Sequence, residues 1–203
     1  GFILIVMIIT VGINSEYVVS KARSKIINSG VEEEAVIQER QKTVPLILLH
    51  GFNPVYSKRL SEFSLIRIQN KISSDLGYIN KGLLTEDTSC AELISKDKPI
   101  VIRASYLMGT KIESYSKEVD KIIKKVQGCT NAEKVDVITH SMGGIVMRHY
   151  LKEEKPVRKL IMIATPNNGR LYDLGDFIKR FSEEDIDFLQ ISENSSFMKE
   201  ING

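Results

Sequence analysis

Four short apolar runs constrain this chain more than anything else in it. Val44 to Leu49 is a continuous apolar run that ends abruptly at His50-Gly51, and Pro99 to about Tyr106, Lys134 to Thr139 and Lys159 to Ala164 each carry Val, Ile, Leu or Met beside polar residues. A continuous run like the first fits a strand buried on both faces, and the other three read as strands as well. Between them the pattern changes period. Phe63 to Leu76 carries apolar residues at 65, 66, 68, 72 and 76, with Gly77 placed where a helix would stop. Lys111 to Val126 sets Ile112, Tyr115, Val119, Ile122, Ile123 and Val126 on one helical face, and Ile145 to Leu151 continues as a helix after the third run. Strands that alternate with helices pair in parallel through right-handed crossovers. The expectation over residues 44–203 is an α/β domain in three layers, a mostly parallel sheet with helices on both faces. Residues 77–98 show no clear period and are expected to be its longest irregular stretch.

Composition narrows the function classes. The chain has 203 residues, 28 Lys plus Arg against 26 Asp plus Glu, and a net charge of +2. A nucleic-acid binder held on by a broad basic field needs clustered excess cation, so that class is set aside. Cys90 and Cys129 each fall outside a predicted strand. They could pair in an oxidising compartment, and two free thiols is the equal alternative. The Asn194-Ser195-Ser196 sequon is too common a pattern to weigh.

The amino end reads differently from the rest. Phe2 to Ile9 is FILIVMII, and no charge appears before Glu16. Fifteen helical residues span roughly 22 Å, short of a hydrocarbon core of about 30 Å. Residues 1–19 are expected to be a truncated membrane anchor or signal segment, which makes the protein membrane-anchored or exported with its orientation open. Residues 20–43 are charged, with Glu32, Glu33 and Glu34 consecutive, and are expected to be a solvated tether.

Chemistry concentrates at the ends of the strands. The third run leads directly into His140-Ser141-Met142-Gly143-Gly144 and then a helix, a G-x-S-x-G arrangement with Thr139 in the first glycine position. Reversal from strand to helix in about one residue forces Ser141 into a strained conformation and lifts its hydroxyl to the carboxyl edge of the sheet, where open α/β folds bind ligands. Gly143 is expected to pass close to the strand, and Gly144 to let the helix start tightly against the sheet. Thr139 is bulkier than the glycine it replaces, so tightness is expected there. At the end of the first run, His50-Gly51-Phe52 offers the Phe52 amide, and the Met142 amide opens the helix. Both could point at one carbonyl oxygen, and a single such donor is worth about 3 kcal/mol in a transition state. His50 is expected to pin its loop, and His140 to pack or hydrogen-bond beneath the elbow.

Together these motifs make a resemblance specific. Leu-Leu-His-Gly-Phe at 48–52, Thr-His-Ser-Met-Gly-Gly at 139–144 and Thr-Pro-Asn-Asn-Gly at 165–169 resemble the lipases and esterases of the α/β-hydrolase superfamily, in the same order and at strand ends. Residues 194–202 also look like a segment found there shortly after the last string. The resemblance implies Ser141 as nucleophile, the Phe52 and Met142 amides as oxyanion hole, and hydrolysis of lipid-like acyl esters without a cofactor or metal. The substrate would be a small-molecule or lipid ester. Acyltransferase and thioesterase chemistry use the same parts, and a non-catalytic binding domain on this fold is the alternative from another class.

The triad is incomplete on this reading. The superfamily order is Ser, then Asp or Glu, then His. Downstream of Ser141 the sole histidine is His149, eight helical residues on, thus roughly 12 Å along the axis and 80° around it, too far for a base. Asp173, Asp176, Asp185 and Asp187 follow the fourth run, but the superfamily's acid follows a later strand. The expectation is a domain incomplete at its carboxyl end, lacking the acid and the base, so that the 203-residue chain alone is inactive. Leu171, Leu174, Phe177, Ile178 and Phe181 form one apolar helical face, which is expected either to cap an acyl pocket or to pack as an ordinary helix on the sheet.

Overall fold

The computed structural model describes residues 43–51, 63–105, 111–168, 190 and 195–202. The expected segments 1–19 and 20–43, Phe52, and the apolar face at 171–181 fall outside them, in whole or nearly so. Each apolar run is a strand: β1 Leu46–Leu49, β3 Ile100–Ala104, β4 Val135–His140 and β5 Val157–Ile163. The helices are α1 Ile66–Leu76, α3 Ile112–Thr130, α4 Met142–Tyr150 and α5 Ser196–Asn202. Gly77 does end α1, in the left-handed conformation at φ 72°.

The reading of residues 77–98 needs correction. They hold a strand, β2 Ile79–Leu84, and a one-turn helix, α2 Cys90–Leu93. β2 lies at the sheet edge with Leu84 its one buried residue, and Gly82 at φ 69° interrupts its register with β3, so no apolar period marks it. α2 starts on a capping box, Ser89 with Glu92 three residues on, a signal that the sequence does carry.

The sheet is parallel throughout, in the order β2-β3-β1-β4-β5. Its two faces differ. On one, Leu46, Leu48 and Val101 pack with Ile72 of α1; on the other, Ile47, Leu49, Ile100, Ile102, Val135 and Val137 pack beneath α3, α4 and α5. That is the expected three-layer α/β arrangement. Cys90 and Cys129 are joined in a disulfide, Cα to Cα 4.7 Å, which settles the alternative in favour of pairing and ties α2 to the end of α3. Lys125 Nζ adds bonds to the carbonyls of Thr85 and Glu86, 2.9 and 2.8 Å, on the same side.

Strand order also locates the site. From β1 the chain first builds outward to β2 and β3, then crosses to β4 and β5 on the other flank. The direction reverses between β1 and β4, and open α/β sheets bind ligands in the crevice outside such a reversal. His50 and Gly51 leave β1 there, and Ser141 leaves β4 there.

Candidate active site

Ser141 has φ 51° and ψ −126°, a backbone conformation that residues with a β-carbon rarely adopt. Holding a non-glycine residue there costs on the order of 1–3 kcal/mol, and the surroundings must impose it. Three contacts do so. The Ser141 amide donates to the Ile163 carbonyl at the end of β5, 2.8 Å. The Ser141 carbonyl accepts from the Gly144 amide, 3.0 Å, closing the first turn of α4. Gly51 presses from the β1 side: a β-carbon there would lie 2.7 Å from Ser141 Cβ and 2.8 Å from the His140 carbonyl oxygen. The strained elbow expected from the sequence is therefore present.

Gly144 meets Thr165, beyond β5, where an added β-carbon would lie 2.0 Å from Thr165 Oγ1 and 2.6 Å from Cγ2. Only a glycine permits that approach. Gly51 makes a second close approach, one that its place in the loop motif does not by itself reveal. Thr139 is fully buried, with its Oγ1 lacking a hydrogen-bond partner among the described residues, and so is the Oγ1 of Thr165. A desolvated hydroxyl of this kind is uncommon in a folded protein.

Met142 is the first residue of α4, so its amide is one of the N–H groups that have no acceptor within the helix, and its side chain is buried. Phe52, its expected partner, lies outside the described residues. Gly51, its neighbour in sequence, is described and touches the elbow. His50 is buried, and its Nδ1 donates to the Gly51 carbonyl, 2.6 Å, which pins the loop as expected. Among the described residues none hydrogen-bonds the Ser141 hydroxyl.

His149 is occupied elsewhere. Its Nδ1 and the Ser116 hydroxyl are 2.8 Å apart, and its ring stacks on Phe197 of α5. Burial pushes its imidazole below the ordinary histidine range; the Glu113 carboxylate opposes this, and Lys152 reinforces it. Glu113 is held in turn by the Gln190 side-chain amide, 3.0 Å from both carboxylate oxygens. These residues fasten α5 and Gln190 to α3 and α4. Among the described residues no group of three His, Cys, Asp or Glu side chains could hold a metal ion, and no helix is long and apolar enough to cross a membrane.

Comparison with known proteins places this geometry. No curated protein matches the chain. Among solved structures it is similar to the phospholipase PlaB from Legionella pneumophila, at 19% identity and a TM-score of 0.53, over 79% of this chain and 33% of that one. It is also similar to the mature lipase BlEst2 from Bacillus licheniformis, at 15% identity and a TM-score of 0.50, over 82% of this chain and 61% of that one. These likenesses are of fold, and the chain spans less than two thirds of either protein. A family model described as palmitoyl protein thioesterase matches residues 45–201.

Proposed function

The chain belongs to the palmitoyl protein thioesterase family, hydrolases of the α/β-hydrolase fold, and from that premise we propose that it is a serine hydrolase of acyl esters, thioesters included. The observation that carries the reading is the backbone of Ser141, held at φ 51° at the crevice between β1 and β4. The caps at Leu65, Gly77 and Asn131 also have positive φ but lie in the left-handed helical region, whereas Ser141 is held outside it at ψ −126°. There a hydroxyl is presented at the sheet edge, beside a helix N-terminus.

In the proposed reaction the Ser141 hydroxyl attacks the acyl carbonyl carbon and gives its proton to a general base. The carbonyl oxygen becomes an oxyanion held by the amides of Phe52 and Met142. Collapse expels the alcohol or thiol, which takes that proton, and leaves an acyl-enzyme on Ser141. Water then adds to the same carbon and regenerates the serine. The base and its orienting carboxylate must come from outside the described residues, since none of these reaches the Ser141 hydroxyl. One feature supports a position next to β5. Ile161 and Ile163 on one face and Met162 on the other are 54%, 36% and 38% exposed, unlike β1, whose four residues are all buried. A strand apolar on both faces suits an interior position, with further sheet beyond it.

The lipid-like class of the substrate, and anchoring at a membrane through residues 1–19, belong to the same proposal. Hydrolysis of p-nitrophenyl and thioester substrates of graded chain length by the natural full-length protein tests it. Turnover should fall at least about a thousandfold in Ser141→Ala. Undiminished turnover in that variant would overturn the assignment.

A further inference from the structure

Arg148 carries a charge that no described carboxylate meets. Its Nη1 donates to the Asn167 carbonyl at 3.1 Å, and its Nη2 donates to the Ile201 carbonyl at 2.7 Å and to Asn202 Oδ1 at 2.6 Å. One planar guanidinium thus joins the loop after β5 to α5, using four residues of helix beyond Gly144. On a helix, positions four apart lie on one face. Gly144 and Arg148 therefore form a two-point grip by α4 on the stretch Thr165–Asn167, the first by contact and the second by hydrogen bonds.

That stretch begins beside the nucleophile. Ala164 has φ 50°, a left-handed conformation in a residue with a β-carbon, adjoining the Ile163 carbonyl that accepts from the Ser141 amide. Two neighbouring strand ends, those of β4 and β5, therefore turn through strained residues and share one hydrogen bond. A shift of the loop after β5 moves that carbonyl and with it the backbone of Ser141. Thr165–Asn167 is itself a tight turn, Asn167 amide to Thr165 carbonyl 2.8 Å, so a pull at Asn167 is passed on rather than absorbed.

We propose that Arg148 is a positioning residue for Ser141. It fixes the loop after β5 against α4, and so holds the strained elbow through the Ile163 carbonyl. The catalytic part of the proposal rests on the serine-hydrolase reading; the part about backbone positioning does not. A lysine cannot replace it, because one ammonium cannot span Asn167 and Ile201 in a plane.

The test uses the natural full-length protein, with Arg148→Ala and Arg148→Lys, and two readouts. The first is amide hydrogen exchange. In both variants the peptide covering Ser141–Gly144 should exchange at least about tenfold faster, with β1 and the middle of α3 unchanged. Unchanged exchange at 141–144, or equal acceleration throughout the domain, would overturn the proposal; the second result makes Arg148 a general stabiliser. The second readout is phosphonylation by a fluorophosphonate at saturating concentration. The rate per reactive site should fall about tenfold to a hundredfold, with the half-saturating concentration within about twofold of wild type. A smaller reactive fraction with an unchanged rate would overturn the catalytic part. If the wild-type protein is not labelled at all, the serine-hydrolase reading fails, and exchange at 141–144 alone decides the positioning of the backbone.

Discussion

The two flanks of the sheet are held by different means. On the flank of β2, a disulfide joins α2 to α3 and Lys125 spans to the loop after β2. On the flank of β4 and β5, the elbow depends on glycines in contact, one shared backbone hydrogen bond and two residues at positive φ. A covalent tie tolerates ångström-scale shifts in the atoms around it, whereas an approach that leaves no room for a β-carbon at Gly51 or Gly144 does not. The flank that carries Ser141 is thus sensitive to a single methyl group, and the opposite flank to redox state. Stability should be separable from site geometry on that basis.

Gly144→Ala should break the elbow most severely. The added carbon meets Thr165 on three atoms at once, all within 2.8 Å, so the loop after β5 or the start of α4 must move. Overpacking of this kind costs on the order of 1–3 kcal/mol, and misplacement of a reacting group by about 1 Å costs about a hundredfold in rate. Hydrolysis rate per folded molecule of the full-length protein, with folding followed by circular dichroism, checks this. Gly51→Ala should act in the same direction, because its carbon would press on Ser141 itself.

Reduction of Cys90–Cys129, or the double change to Ser, should do the opposite. It releases a link across 39 residues, worth roughly 3–4 kcal/mol in the chain-entropy account. Urea midpoints with and without reductant should fall accordingly, while hydrolysis per folded molecule stays within about twofold. A large loss of rate on reduction would show that the two flanks are not independent.

A smaller effect is expected from pH. His149 has its folded pKa below the ordinary value of 6.5, chiefly through burial, with the carboxylates of Glu113 and Glu200 opposing the shift and Lys152 adding to it. Between the folded value and 6.5 the unfolded chain binds more protons, so stability rises with pH across that window. Its full contribution is present above about 6.5 and is lost as pH falls through the folded value. His149→Gln should flatten this part of a plot of urea midpoint against pH. The smallest effect belongs to Lys125→Ala, which removes two exposed hydrogen bonds and should cost less than about 1 kcal/mol.

The contrast between flanks also explains what could be read from the sequence. β1 announces itself as a continuous apolar run, β3, β4 and β5 as short stretches rich in Val, Ile and Leu between helical periods, and Ser141 because strand, serine and glycines follow one another along the chain. β2 escapes: a parallel edge strand with exposed Asn80 and Lys81 buries too little to leave a pattern. The contacts that define the elbow escape for a different reason. Gly51 against Ser141, Gly144 against Thr165, and Ser141 bonded to Ile163 join residues from separate strands, and their proximity follows from a strand order that no local pattern encodes. Helix arithmetic sets His149 away from the hydroxyl, and its partners Ser116 and Phe197 come from other helices that no local pattern brings to it.

Everything proposed for catalysis passes through one oxygen atom. The direct measurement is mass-spectrometric mapping of a fluorophosphonate adduct on the full-length protein. One phosphonyl group should be found on the peptide that contains Ser141, and none in Ser141→Ala. Ester hydrolysis by wild-type protein with no adduct on that peptide, or with the adduct on another residue, would contradict the assignment.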